Sequence, residues 1–294
     1  MSKISEDALK DRLKNLAKDK GITVTELLKK LYLERFLARL ARSDYSDKLI
    51  FKGGNLLGYY LAIGRQTIDL DFLMTKLKAE EPVVKKAFED IAQTPSDDGF
   101  ELKFVRIESL AQVHMEYPGF RVILNIKLIG GKLTDNLQID VGIGNKVEAE
   151  SLNIDLLKYK NAPLFEESVS LLVYPAESIF AEKLETVASK GSINSRMKDF
   201  HDLILMGRAP GLLDKVQLGT SIVETFEHRG TPLSLPIQFE DTQYTTMNTY
   251  WSAHGASMGA WWSANNMPQH FKQAVLEINH FLGTIDVPKK KDET

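Results

Sequence analysis

In the stretch TIDLDFL, residues 67–73, two carboxylates stand one residue apart inside an otherwise apolar run. Side chains on a β-strand alternate between faces. Ile68, Leu70 and Phe72 would then point one way, and Thr67, Asp69 and Asp71 the other. The apolar side anchors the strand, so the acidic side can stand at the edge of a cleft. Two adjacent carboxylates repel, and without a cation one would have its pKa raised. A hard divalent cation such as Mg²⁺ removes that cost, because it prefers oxygen ligands. NLQIDVGIG repeats the arrangement, with Leu137, Ile139, Val141 and Ile143 on one face and Gln138, Asp140 and Gly142 on the other. If this strand lies beside the first, Asp140 becomes a third carboxylate. Three such groups could hold one or two Mg²⁺, activate an attacking oxygen and neutralise a triphosphate. An Asp-x-Asp pair alone is common on surfaces and turns and does not define a site.

The glycines upstream strengthen the pattern. In FKGGNLL a strand ends in Gly53-Gly54 and a helix begins. Glycines there let the backbone approach a phosphate, and the helix N-terminus offers N–H groups to it. Gly-Gly is common in strand-to-helix turns; its combination with the acidic strands is what points to nucleotide chemistry.

These residues need elements to position them. Leu9, Leu13 and Leu16 follow a 3–4 spacing that predicts a first helix stopped by Gly21. Leu27, Leu28, Leu31, Leu33, Phe36, Leu37 and Leu40 predict a second, with Thr23 and Glu26 as its capping box. LIFKGG then reads as a strand, NLLGYYLAIG as a helix, QTIDLDFLM as a strand and EEPVVKKAFEDIAQ as a helix with proline in its first turn. FELKFVRIESL, GFRVILNIKLI and NLQIDVGIG follow as strands, the last two joined by the turn signal GGKLTD. The fold class expected is α/β (α+β), a mixed sheet with flanking helices. Beyond about residue 160 the chain reads as mainly helical: AESIFAEKLETVASK, SRMKDFHDLILMGR, GLLDKVQLGTSIVETFEHR and PQHFKQAVLEINHFLGTI. NTYWSAHGASMGAWWSANN, within residues 248–266, receives no assignment. A sheet lobe over 1–160 and a helical lobe over 161–294 are expected, with the cleft between them as the default site.

The 294 residues suit one large or two ordinary domains. With 43% hydrophobic and 26% charged residues, a core is affordable and disorder is not indicated. No apolar run reaches the ~18–20 residues of a membrane span, and the charged N-terminus lacks a signal-peptide apolar region. A soluble cytoplasmic protein is expected. There is no cysteine, which excludes disulfides and thiolate metal sites, and the six His lack the paired spacing of a zinc site. Residues 1–50 carry twelve Lys and Arg against eight Asp and Glu, a local balance of +4 in a chain of net charge −3. That bias could face RNA but more often marks a solvated helix surface.

FKGGNLLGYYLAIGRQTIDLDF resembles the AbiEii-type nucleotidyltransferases, toxin components of type IV toxin–antitoxin and phage abortive-infection systems. They belong to the DNA polymerase β-like nucleotidyltransferase superfamily. The resemblance continues in LQIDVG, YPAESIFAEKLETVASK and SRMKDFHDLILM, and upstream in LLKKLYLERFLARLARSDYSDKLIFKGG, so it covers most of residues 20–210. It implies a nucleotidyltransferase-like sheet followed by a helical lobe. It also implies Mg²⁺ or Mn²⁺ as cofactor, an NTP as substrate, RNA (the tRNA 3′ end) as acceptor, and a cognate antitoxin as partner. By matching position, Gly53 and Gly54 form the phosphate-cradling turn, Asp69 and Asp71 the metal pair, and Asp140 the third carboxylate. Lys183 matches a lysine that meets the nucleotide phosphates. Arg196, Lys198, Asp199 and Asp202 match a basic residue followed by spaced aspartates. Thr67, on the acidic face, joins the nucleotide-binding set. Asn55 stands where Ser or Thr is usual, replacing a hydroxyl contact to phosphate with an amide.

The residues also admit plainer readings. Lys183 could snorkel along apolar surface, Asp202 could cap or pair structurally, and His201 reads as packed or solvated. Two alternative functions stay open: a nucleotide- or RNA-binding protein that transfers nothing, and a carboxylate-dependent nuclease. The glycine turn and Lys183 argue against the nuclease, which has no triphosphate to hold.

Overall fold

The computed structural model describes residues 4–65, 67, 69–110, 119–144, 147–191 and 196–288. Two compact units emerge: residues 1–59 with 66–174, and residues 60–65 with 175–294.

The first unit opens with α1 (Glu6–Lys20) and α2 (Val24–Leu40). Ser5 caps α1, and Gly21 closes it in the left-handed conformation. The expected capping box on α2 is present, Glu26 N–H donating to Thr23 Oγ1 at 3.1 Å and Thr23 N–H to Glu26 Oε2 at 2.5 Å. There follow β1 (Leu49–Lys52), α3 (Gly53–Tyr60), β2 (Leu70–Met74) and α4 (Glu81–Gln93). Next come β3 (Phe100–Leu110), β4 (Gly119–Leu128), β5 (Thr134–Ile143) and β6 (Glu150–Asp155). The short pair β7 (Lys158–Tyr159) and β8 (Ala162–Pro163) precedes β9 (Ser168–Val173).

Among the described residues seven strands form one sheet in the order β3-β4-β5-β2-β1-β9-β6. The pairs β2–β5 and β1–β9 are parallel and the other pairs antiparallel. One face is apolar. Leu70, Phe72, Ile139, Val141, Val122 and Leu124 are buried there. Phe36 of α2 stacks on Phe88 of α4 and meets Phe72 edge-on, both at 5.9 Å between ring centroids. That packing fixes the strands in register and turns their polar residues to the opposite face.

β6 to β9 were not anticipated: β6 and β7 fall where the sequence received no assignment, and β8 and β9 where it reads as mainly helical. β9 buries Val169, Leu171 and Val173 in alternation, but six residues give a short signal. The expected strand through Thr67 is also shorter. β2 begins at Leu70, so Asp69 precedes it.

The second unit holds α5 (Ala176–Lys190), α6 (Met197–Arg208), α7 (Lys215–His228), α8 (Asp241–Met258), α9 (Ala260–Ala264) and α10 (Phe271–Leu282). The unassigned Trp/Gly/Ser/Asn stretch falls on α8 and α9. Its Trp251 is fully buried, packs on Phe271 and Trp262, and donates its indole N–H to Pro268 O at 2.8 Å. Among the described residues no helix is long and apolar enough to cross a membrane.

Candidate active site

The strand pairing places four charged residues in one line across the sheet. Lys52 of β1 is in register with Asp71 of β2, Asp71 with Asp140 of β5, and Asp140 with Arg121 of β4. Neighbouring strands are about 4.8 Å apart, and residues in register share a face. Asp71 and Asp140 therefore rise side by side, as the sequence pattern predicts. Both are half-buried.

Side-chain cations flank these two carboxylates. Arg121 grips Asp140 with both arms of its guanidinium, Nε to Oδ1 at 2.8 Å and Nη2 to Oδ2 at 2.7 Å. Lys52 flanks the row at its other end, with its ammonium also 4.7 Å from the centre of the Tyr174 ring. The line reads plus, minus, minus, plus. Two side-chain cations balance two carboxylates, so the row is electrically neutral without any added ion.

The glycine turn meets this row. β1 ends at Lys52 and α3 starts at Gly53, which has a φ of +77°. Asp71 lies so close that a Cβ on Gly53 would fall 2.1 Å from its Oδ2. Glycine is required twice over, by backbone conformation and by the approach of the carboxylate. Gly54 follows in the first turn of α3. Asn55 spends an amide N–H inside the fold, Nδ2 donating to Thr67 O at 3.0 Å. This bond ties α3 to the segment that leads into Asp69. Thr67 and Asp69 are half-buried there.

Among the described residues no three His, Asp or Glu side chains converge into a ready-made metal cage. Mg²⁺ does not demand one: it is commonly held by one or two carboxylates plus phosphate oxygens of its substrate. The donor chemistry of Asp69 and Asp71 fits that pattern. Asp140 also has the right chemistry, but both its oxygens are engaged by Arg121.

The remaining sequence-predicted residues lie in the second unit, where they cluster around Asp202 and Asp199. Lys183 of α5 is mostly shielded from solvent, its side chain 12% exposed, with Nζ 2.7 Å from Asp202 Oδ2 and 3.2 Å from Asp199 Oδ1, both on α6. Arg65 also holds Asp202, Nη2 to Oδ2 at 2.5 Å and Nε to Oδ1 at 3.1 Å. Arg196 Nε is 3.2 Å from Asp199 Oδ2. Burial pulls the Lys183 pKa down, but Asp202 and Asp199 outweigh it and hold the ammonium above its ordinary value. Burial likewise pushes Asp202 up, and Lys183 and Arg65 outweigh that, keeping it below the usual carboxylate range. Lys198 is on the exposed side of α6. Asp202 thus pairs with basic residues, as its plainer reading has it, and the Lys183 ammonium points at carboxylates rather than along an apolar surface. His201 is packed: it lies 2.9 Å from His254, against Trp261 and Trp262, and burial lowers its pKa to about 4.

Arg121, Lys52 and Arg65 were missed in the sequence. Arg121 carried a usable signal, a lone cation in the apolar strand GFRVIL, but its partner is visible only once the strand register is known.

A family model described as nucleotidyl transferase AbiEii toxin, type IV TA system, matches residues 35–259. No curated protein sequence matches the chain significantly. Among solved structures, MenT4, a nucleotidyltransferase toxin from Mycobacterium tuberculosis H37Rv, aligns with TM-score 0.52 and 15% identity, covering 92% of this chain and 98% of that one. JHP933 from Helicobacter pylori aligns with TM-score 0.44 and 13% identity, covering 89% of this chain and 91% of that one. The likeness to MenT4 is one of fold.

Proposed function

The chain belongs to the AbiEii family of nucleotidyltransferase toxins, and from that premise we propose that it transfers a nucleoside monophosphate from an NTP to a hydroxyl of RNA, the 3′ end of tRNA. The acceptor oxygen bonds to the α-phosphorus, the bond from that phosphorus to the pyrophosphate oxygen breaks, pyrophosphate leaves and the hydroxyl proton is lost. The result is growth arrest, relieved by a cognate antitoxin and directed against phage.

The observation that carries this reading is the meeting of Asp71 with Gly53 at the start of α3. Backbone N–H groups of the Gly53–Gly54 turn would orient the phosphates. Asp69 and Asp71 would hold Mg²⁺ together with triphosphate oxygens. The ion, when bound, supplies charge neutralisation for the phosphoryl transfer. The protein's own contribution is mainly positioning and fixed dipoles.

Labelled NTPs, Mg²⁺ and total RNA test it. Wild-type protein is expected to label RNA, and Asp71→Asn to lose at least about a hundredfold of that rate while retaining its fold. Mass spectrometry of the RNA identifies the added nucleotide. A fully active and toxic Asp71→Asn variant overturns the assignment. The engagement of the Asn55 amide with Thr67 favours a second reading, a protein that binds nucleotide or RNA and transfers nothing. In the same assay it would be protected from melting by NTP without incorporating label.

A further inference from the structure

Arg121 has no role in the reading above, yet it holds the carboxylate in register with Asp71 across the sheet. We propose that Arg121 is a positioning residue that acts as an internal counter-ion, competing with the divalent cation for Asp140 and thereby setting how tightly the nucleotide-free protein binds that cation. This rests on the functional reading only in taking Asp69, Asp71 and Asp140 as the cation's surroundings.

The geometry sets two cations against each other at one carboxylate. A carboxylate presents two oxygens, and both oxygens of Asp140 accept from one guanidinium at 2.7–2.8 Å. The planar fork of arginine matches a carboxylate in two parallel bonds. With the Gln138 amide oxygen turned towards it, the same guanidinium gains a further acceptor at 3.2 Å from Nε and Nη2. Each oxygen keeps a further lone pair, but a cation drawn to Asp140 meets the guanidinium charge already lying on that carboxylate. The cation therefore meets Asp69 and Asp71 first, with Asp140 held in reserve.

The sheet also provides a place for the guanidinium to go. On its other side Arg121 is in register with Glu108 of β3, a residue now bonded to Arg106 at 2.6 Å. Residues directly across an antiparallel pair are about 5 Å apart at Cβ, well within reach of an arginine. Arg121 thus stands between two carboxylates, one shared with the site and one outside it. Lysine could not do the same, since its ammonium offers no fork.

Mn²⁺ binding, measured by electron paramagnetic resonance on the full chain without nucleotide or RNA, tests the proposal. Arg121→Gln frees Asp140 and is expected to tighten Mn²⁺ binding about two- to fivefold, the range expected for a half-exposed ion pair. Arg121→Lys should fall between. The gain must vanish in Arg121→Gln combined with Asp140→Asn, because the competition exists only through that carboxylate. A structural role alone would not tighten metal binding, nor would its effect depend on Asp140. Unchanged or weaker Mn²⁺ binding in both Arg121 variants overturns the proposal, as does a gain that persists without Asp140. If wild type transfers nucleotide and either result appears, only this inference fails. If neither wild type nor variant binds Mn²⁺ or transfers nucleotide, the functional reading falls with it. Should Arg121→Gln not fold, Arg121→Lys carries the same comparison.

Discussion

Oδ2 of Asp71 occupies the space in which any side chain on Gly53 would have to begin. The two residues come from different elements, the first turn of α3 and the strand β2. Their contact fixes the acidic row against the proposed phosphate turn. Gly53→Ala is expected to force either the carboxylate or the turn to move, and to adopt a left-handed φ that alanine resists. The cost should be about 1–3 kcal/mol of stability, read as a lowered melting temperature, with loss of most nucleotide transfer. A variant that melts like wild type and transfers at the same rate would show that the contact positions nothing.

The apolar periodicity that produced this arrangement was largely legible in the sequence. Leu9, Leu13 and Leu16, and later Leu137, Ile139 and Val141, mark buried faces that the structure keeps. Their spacing sets which residues face away from the core, and the pairing of β2 with β5 then puts Asp71 and Asp140 together. Asp69 was less legible. It carries the same alternation on paper, yet β2 starts one residue later, because a strand ends where its pairing ends and not where its pattern does. α8 was opaque for a different reason. Of its eighteen residues only Met247 and Trp251 are buried, so no apolar stripe exists to read. The partners of Arg121 and Lys183 depend on strand register and helix packing, which no local pattern encodes.

The ion pair of Lys183 and the buried Asp202 yields a prediction about stability. Asp202 is fully buried between two cations, and removing its charge takes a carboxylate from both Lys183 and Arg65, with Lys183 keeping Asp199 at 3.2 Å. Asp202→Asn is expected to cost about 3–5 kcal/mol, whereas a double change to Lys183→Met and Asp202→Leu should recover part of it. The pH dependence follows from the two shifts. The depressed Asp202 pKa contributes stability above the unfolded value, near 3.8, that is lost as pH falls through the lower folded value. The raised Lys183 pKa contributes stability below about 10.5 that is lost as pH rises through the higher folded value. Chemical denaturation at neutral pH, pH 3 and pH 11 measures all three. Identical stabilities for wild type and Asp202→Asn at pH 7 would contradict the argument.

Glu34 on α2 predicts the opposite sign. Its side chain is fully buried, one oxygen accepts from Leu157 N–H at 2.9 Å and the other has no hydrogen-bond partner. Burial pushes its pKa up to about 7, against an ordinary 4.5, and the Leu157 bond offsets only part of that. Between those values the folded chain keeps a proton that the unfolded chain has released. Stability therefore falls as pH rises from 4.5 to 7 and levels off above, by about 3 kcal/mol if the carboxyl acts alone. Glu34→Gln keeps an oxygen for Leu157 and has nothing to ionise. The difference in unfolding free energy between wild type and Glu34→Gln, followed from pH 5 to pH 8, should shift in favour of the variant across that window. Other groups titrate in the same range, but they are common to both proteins and cancel in the difference. Parallel pH curves would mean that Glu34 reaches water in the folded state and that burial does not hold its proton.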